Sequence, residues 1–189
     1  MRLFIAINFS AALIDRLARL QGELRRLPVA VKWVNPAGIH LTLKFLGEVE
    51  PAAVGAIGAA LEKAAQGIKP WDLEVKGAGV FPNGRSPRVV WVGVESGAPL
   101  YDLQRQITAE YLALGFKADT FTPHLTLGRL RPGAAWNSIV GDRLRELAGV
   151  SWGRERVTAV NLMESRLSPR GAHYHPLLTV NLEEPFMGS

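Results

Sequence analysis

The 189-residue chain contains no cysteine. That excludes a disulfide scaffold, cysteine-ligated zinc fingers, iron–sulfur centres and thiol catalysis. No apolar run approaches the roughly 18–20 residues that a membrane-spanning helix needs. The N-terminal Leu3-Phe4-Ile5-Ala6-Ile7 stretch is too short for a secretory signal, and no small-residue cleavage site follows it. There is no long run of like charge and no basic tail. Lys and Arg number 22 against 17 Asp and Glu, a net charge of +5. That allows an anionic ligand without requiring one. The chain also lacks a Gly-x-x-x-x-Gly-Lys phosphate loop, a Gly-x-Ser-x-Gly elbow and a Rossmann glycine fingerprint. What remains is a folded protein with 48% apolar and 21% charged residues, expected in the cytoplasm as a monomer, with no metal and no cofactor.

A duplication runs through the chain. Residues 3–9 read as a buried strand, and Ser10 is placed to cap a helix carrying Leu13, Leu17, Leu20, Leu24 and Leu27 on one face, which Pro28 ends. A strand at 40–47, an Ala-rich helix from Pro51 to about Gln66 and a strand at 71–81 follow. Pro82-Asn83-Gly84 is a turn. The order then recurs: a strand at 89–96, a helix with Leu100, Leu103, Ile107, Tyr111 and Leu114, and a strand from His124. A helix at about 136–148, a strand near 155–163 and a last strand from about Tyr174 to Leu182 complete the pattern. The tetrapeptide His-Leu-Thr-Leu occurs at 40–43 and again at 124–127, 84 residues apart. A repeat this long implies two pseudo-symmetric halves, about 1–82 and 83–189, of one domain. The expected fold is α+β, with two lobes, each an antiparallel sheet backed by helices, around a central groove.

Alternate residues of a strand share a face. His40 and Thr42 therefore project together, as do His124 and Thr126, while the intervening leucines point to a core. Two imidazoles facing one groove suit in-line displacement at phosphorus: one takes a proton from water while the other gives one to the leaving oxygen. The hydroxyls can donate to oxygens lying between them. His173 and His175 have no third ligand at useful spacing and read as polar strand residues.

These motifs resemble those of the two-histidine (2H) phosphoesterases, and within them the LigT-like RNA 2′,3′-cyclic phosphodiesterases, also called the 2′-5′ RNA ligase family. The resemblance spans nearly the whole chain. It includes Arg2-Leu3-Phe4-Ile5-Ala6-Ile7, Trp33-Val34, His40 through Gly47, Gly79-Val80-Phe81-Pro82, Pro87 through Val94, Thr122 through Arg129, and Gly171-x-x-Tyr174. It implies hydrolysis of an RNA or nucleoside 2′,3′-cyclic phosphate to a 2′-phosphomonoester, without metal, and a weak reverse 2′-5′ ligation. His40 is then the general acid toward the 3′ oxygen and His124 the general base for water. Thr42, Thr126 and Arg129 would bind the phosphate. Arg129 lies at an odd offset from His124, so a β-bulge or the strand end at Gly128 has to re-aim it. Phe45, at the matching place after His40, is either a nucleobase platform, worth about 1–3 kcal/mol per base, or a core residue. Lys44 and Arg88 read more economically as solvated cations than as phosphate ligands. Two alternatives remain at this point. One is the same chemistry on another small cyclic nucleotide or RNA 3′ end. The other is a non-catalytic RNA-binding module.

Overall fold

A computed structural model of the chain describes residues 1–183. It contains four α-helices and nine strands. Strand β1 (Arg2–Ile7) is buried along nearly its whole length. Helix α1 (Ala11–Leu24) starts where the Ser10 hydroxyl accepts from the Leu13 N–H, a side-chain cap of the usual kind. It buries Leu13, Leu17, Leu20 and Leu24. Leu27 falls outside it, because Arg26 and Leu27 donate to carbonyls three residues back and close the last turn early. Then come β2 (Val31–Trp33), β3 (Leu41–Glu48), α2 (Val54–Ala65), β4 (Trp71–Phe81), β5 (Val89–Ser96), α3 (Ala98–Ala113), β6 (His124–Leu130) and α4 (Ser138–Glu146).

The single strand expected near 155–163 is two strands, β7 (Ser151–Val157) and β8 (Ala159–Ser168), followed by β9 (Gly171–Asn181). Side-chain alternation is the same whether a strand keeps its neighbour or changes it. Thr158 is where the chain leaves β4, which β7 pairs, and joins β1, which β8 pairs.

All strand pairings are antiparallel, in the order β7-β4-β5-β6-β3-β1-β8-β9, with β2 alongside β6. The order is symmetric about its middle: β6 mirrors β3, β5 mirrors β1, and β4 mirrors β8. Both stretches of sequence build both lobes. β4, from the first stretch, pairs with β5 of the second, and β8 returns to pair with β1. The helices cross over likewise, with α1 against β7 and α3 against β3. α2 packs on α3, where the buried Tyr111 hydroxyl donates to the Ile57 carbonyl at 2.8 Å.

The lobes meet where β3 touches β6, at the pair Leu41–Leu125. Both leucines are fully buried, worth about 1.5–3 kcal/mol each relative to exposure. They belong to one large core that also holds Ile5, Leu43, Val92 and Leu127. On the opposite face of the sheet, Phe4, Ala6 and Met163 form a small second cluster against Tyr174.

Each of the two middle strands carries a bulge at an equivalent place. On β3, Thr42 lies opposite Ala6 but Lys44 opposite Ile5, so two steps oppose one. On β6, Thr126 lies opposite Trp91 but Gly128 opposite Val90. A bulge inverts the side-chain alternation beyond it. Phe45 therefore comes to lie opposite Phe4, and Arg129 opposite Val89.

Candidate active site

The antiparallel register at Leu41–Leu125 puts His40 across from Thr126 and Thr42 across from His124. Since Leu41 and Leu125 enter the core, the four polar side chains share the other face. Each repeat's imidazole thus lies on the same side of the Leu41–Leu125 pair as the other repeat's hydroxyl.

The two rings are held in the same way. Nδ1 of His40 lies 2.7 Å from the Gly38 carbonyl oxygen, and Nδ1 of His124 lies 2.7 Å from that of Thr122. A carbonyl only accepts, so each Nδ1 carries the proton and donates it. That fixes the tautomer and leaves each Nε2 for the groove. Gly38 can offer its carbonyl there because it has no side chain. A Cβ would lie 3.0 Å from the Tyr174 ring.

Aromatic rings wall both imidazoles. Tyr174 meets His40 edge-on at 5.1 Å and Phe4 lies 4.7 Å from it, while Phe81 meets His124 edge-on at 4.9 Å. Phe81 in turn contacts Trp91 at 5.0 Å. The Trp91 indole lies so close over Gly79 that a Cβ would come within 2.4 Å of it. A cavity of about 270 Å³ opens beside His40, lined by Asn8, Phe9, Met163, Tyr174 and Pro176. Sequence reading passed over Phe4, Phe81 and Tyr174 as site walls. Their parity with the histidines depends on pairings that no local pattern reveals.

Burial lowers the pKa of His40 below the ordinary 6.5, and repulsion from His124 adds to this, while the hydrogen bond to Gly38 works the other way. Between the folded value and 6.5 the unfolded chain binds more protons, so stability rises with pH. The contribution is complete above the unfolded value and is lost as pH falls through the folded one. Thermal melts between about pH 7 and pH 5 should therefore show Tm falling further in the wild type than in His40→Asn, which does not titrate there. Parallel Tm curves would contradict the burial effect.

The bulges settle where the odd-offset residues point. Arg129 is exposed on the histidine face. Phe45 is 64% exposed, 6.4 Å from the Phe4 ring, and so is not a core residue. Gln21 steadies the β6 bulge. Its buried side-chain amide donates to the Leu127 carbonyl at 2.8 Å and the Val34 carbonyl at 2.9 Å. A glutamine among the leucines of α1 was the visible signal for it.

Lys44 corrects an expectation. It is no solvated surface cation but has a side chain only 3% exposed, paired with Asp119 at 3.0 Å. The same bulge that turns Phe45 outward turns Lys44 inward. Arg88 is exposed beside the β4–β5 turn. His173 engages the Ser168 hydroxyl at 3.0 Å. Among the described residues no three His, Asp or Glu side chains converge as a metal-binding cluster.

A duplicated antiparallel α+β domain presenting paired His-x-Thr motifs on one face is the class that these observations define. The family described as LigT like Phosphoesterase matches the chain twice, over residues 7–91 and 92–174. The RNA 2′,3′-cyclic phosphodiesterase of Methanothermobacter thermautotrophicus is 37% identical over 174 residues, 92% of this chain and 94% of its own length. The protein of the same name from Archaeoglobus fulgidus is 34% identical over 94% of this chain and 98% of its own. Among solved structures, TT0787 of Thermus thermophilus has a TM-score of 0.82 at 27% identity, covering 97% of this chain and 99% of that one. E. coli LigT complexed with 3′-AMP has a TM-score of 0.77 at 26% identity, covering 97% and 98%. The chain belongs to the LigT-like phosphoesterase family. Among the described residues no helix is long and apolar enough to cross a membrane.

Proposed function

We propose that this protein is an RNA 2′,3′-cyclic phosphodiesterase, which opens the cyclic phosphate of an RNA end or nucleoside to a 2′-phosphomonoester with no metal. The observation that carries the reading is the pair of tautomer-fixed imidazoles, each leaving Nε2 free, set one residue to either side of the Leu41–Leu125 pair where the repeats meet. The relatives named RNA 2′,3′-cyclic phosphodiesterase support it.

The phosphate sits between the histidines. Thr42 and Thr126 donate hydroxyl hydrogen bonds to its non-bridging oxygens, and the Arg129 guanidinium offsets the charge that builds up at the pentavalent stage. Water attacks phosphorus in line with the 3′ oxygen. His124 Nε2 takes the proton from water as the new P–O bond forms. Protonated His40 gives its Nε2 proton to the 3′ oxygen as the old P–O bond breaks. The product keeps its phosphate on the 2′ oxygen. Burial disfavours the His40 cation, and a bound phosphodiester anion offsets that penalty. Phe45 offers a nucleobase a stacking face. The enzyme acts as a monomer in the cytoplasm.

The test supplies 2′,3′-cyclic AMP and an oligoribonucleotide ending in a cyclic phosphate, in EDTA, with the products separated by chromatography. Both should yield the 2′-phosphate. No turnover of either, or a 3′-phosphate product, would sink the reading.

A further inference from the structure

The segments that lead into the two histidines are held by different devices. Before His40 the chain forms β2, which pairs with β6 from Val31–Leu130 to Trp33–Gly128. Gly128 makes that contact possible, since a Cβ there would lie 2.5 Å from Val31 Cγ1. The repeat offset of 84 carries residues 31–33 onto 115–117. No strand forms there, and residues 116–123 run into β6 without regular structure.

The same offset carries Gly128 back onto Lys44. The Lys44 ammonium donates to the Lys117 carbonyl at 2.6 Å and to Asp119 Oδ2 at 3.0 Å. Among the described residues these are the hydrogen bonds that tie residues 117–121 to the rest of the molecule. Phe121 anchors the loop as well, packing against the main core with its ring 6.1 Å from that of Tyr101. Burying an ammonium carries a desolvation cost that an apolar side chain of similar length would avoid. A lysine at this position therefore points to a task that only a donor can perform.

We propose that Lys44 is the positioning residue for His124, its ammonium standing in for the strand that the second repeat lacks. By holding residues 117–119 it sets the path to Thr122, whose carbonyl accepts the hydrogen bond from His124 Nδ1–H. Once the loop drifts, that acceptor is lost and the imidazole samples the other tautomer, in which Nε2 bears the proton and cannot accept one from water. The strand that presents Thr42 thus also seats the histidine of the other repeat. The catalytic part of this inference rests on the proposed role of His124 as base.

The experiment compares the wild type with Lys44→Met. It measures kcat and KM on 2′,3′-cyclic AMP and records the imidazole nitrogen signals by NMR. The variant should lose roughly 10–100-fold in kcat, the scale of a misplaced catalytic group, with KM changed far less. His124 should show mixed tautomers, while His40 keeps its Nδ1 proton. Wild-type kcat in the folded variant, or unaltered His124 signals, overturns the proposal. If Lys44→Met does not fold, Lys44→Gln takes its place under the same criteria. A wild type that turns over nothing defeats the proposed function instead, and the His124 signals still decide the role of Lys44.

Discussion

His40→Ala and His124→Ala should each lower turnover of 2′,3′-cyclic AMP by about 10²–10⁴-fold, the range for loss of one general acid or base. The far-UV circular dichroism should not change, because neither ring belongs to the apolar core and each is only partly buried. The two losses differ in kind, and a change of leaving group separates them. A nucleoside 4-nitrophenyl phosphodiester releases a weakly basic phenolate that needs no proton. On that substrate His40→Ala should recover most of the wild-type rate, while His124→Ala, with no base for water, should not. Recovery by His124→Ala alone would exchange the roles. Wild-type rates on the cyclic substrate in either variant would remove the acid–base pair altogether.

The second large effect concerns stability. Leu125→Ala should cost about 2–5 kcal/mol in urea unfolding, the range for truncating a fully buried leucine. Leu41→Ala should cost a similar amount. Both side chains are 0% exposed, and they face each other where the lobes join. Contacting residues do not contribute independently, so the double variant should depart from the sum of the singles by more than about 0.5 kcal/mol. Additive costs would mean that the leucines pack into separate lobes rather than against each other. A loss below about 1 kcal/mol for either single variant would show that the join can collapse around the gap.

Much of the candidate site was legible without a structure, for a local reason. In His-Leu-Thr-Leu, strand alternation alone puts imidazole and hydroxyl on one face and both leucines on the other. Its recurrence at 124–127 made it a pattern rather than an accident. The Ser10 cap and the α1 leucines were likewise readable, because a helix start and an apolar face are written within a dozen residues. The division of 151–168 into β7 and β8 was not. Nothing in that stretch marks the residue at which a strand changes partners.

By itself the sequence determined the duplicated α+β architecture and the chemistry of the two motifs, since both follow from periodicity and residue type. Tertiary structure alone decided where Arg129 and Phe45 point. Each lies past a bulge, and a bulge depends on register against the neighbouring strand. It also decided that Lys44 is buried, and that each lobe draws strands from both repeats. Those outcomes come from contacts between residues far apart in the chain, such as Lys44 with Asp119 and β8 with β1. The absence of cysteine set the limits first: every tie between the two repeats, from the Leu41–Leu125 pair to the Lys44 ammonium, is made by packing, hydrogen bonds and charge.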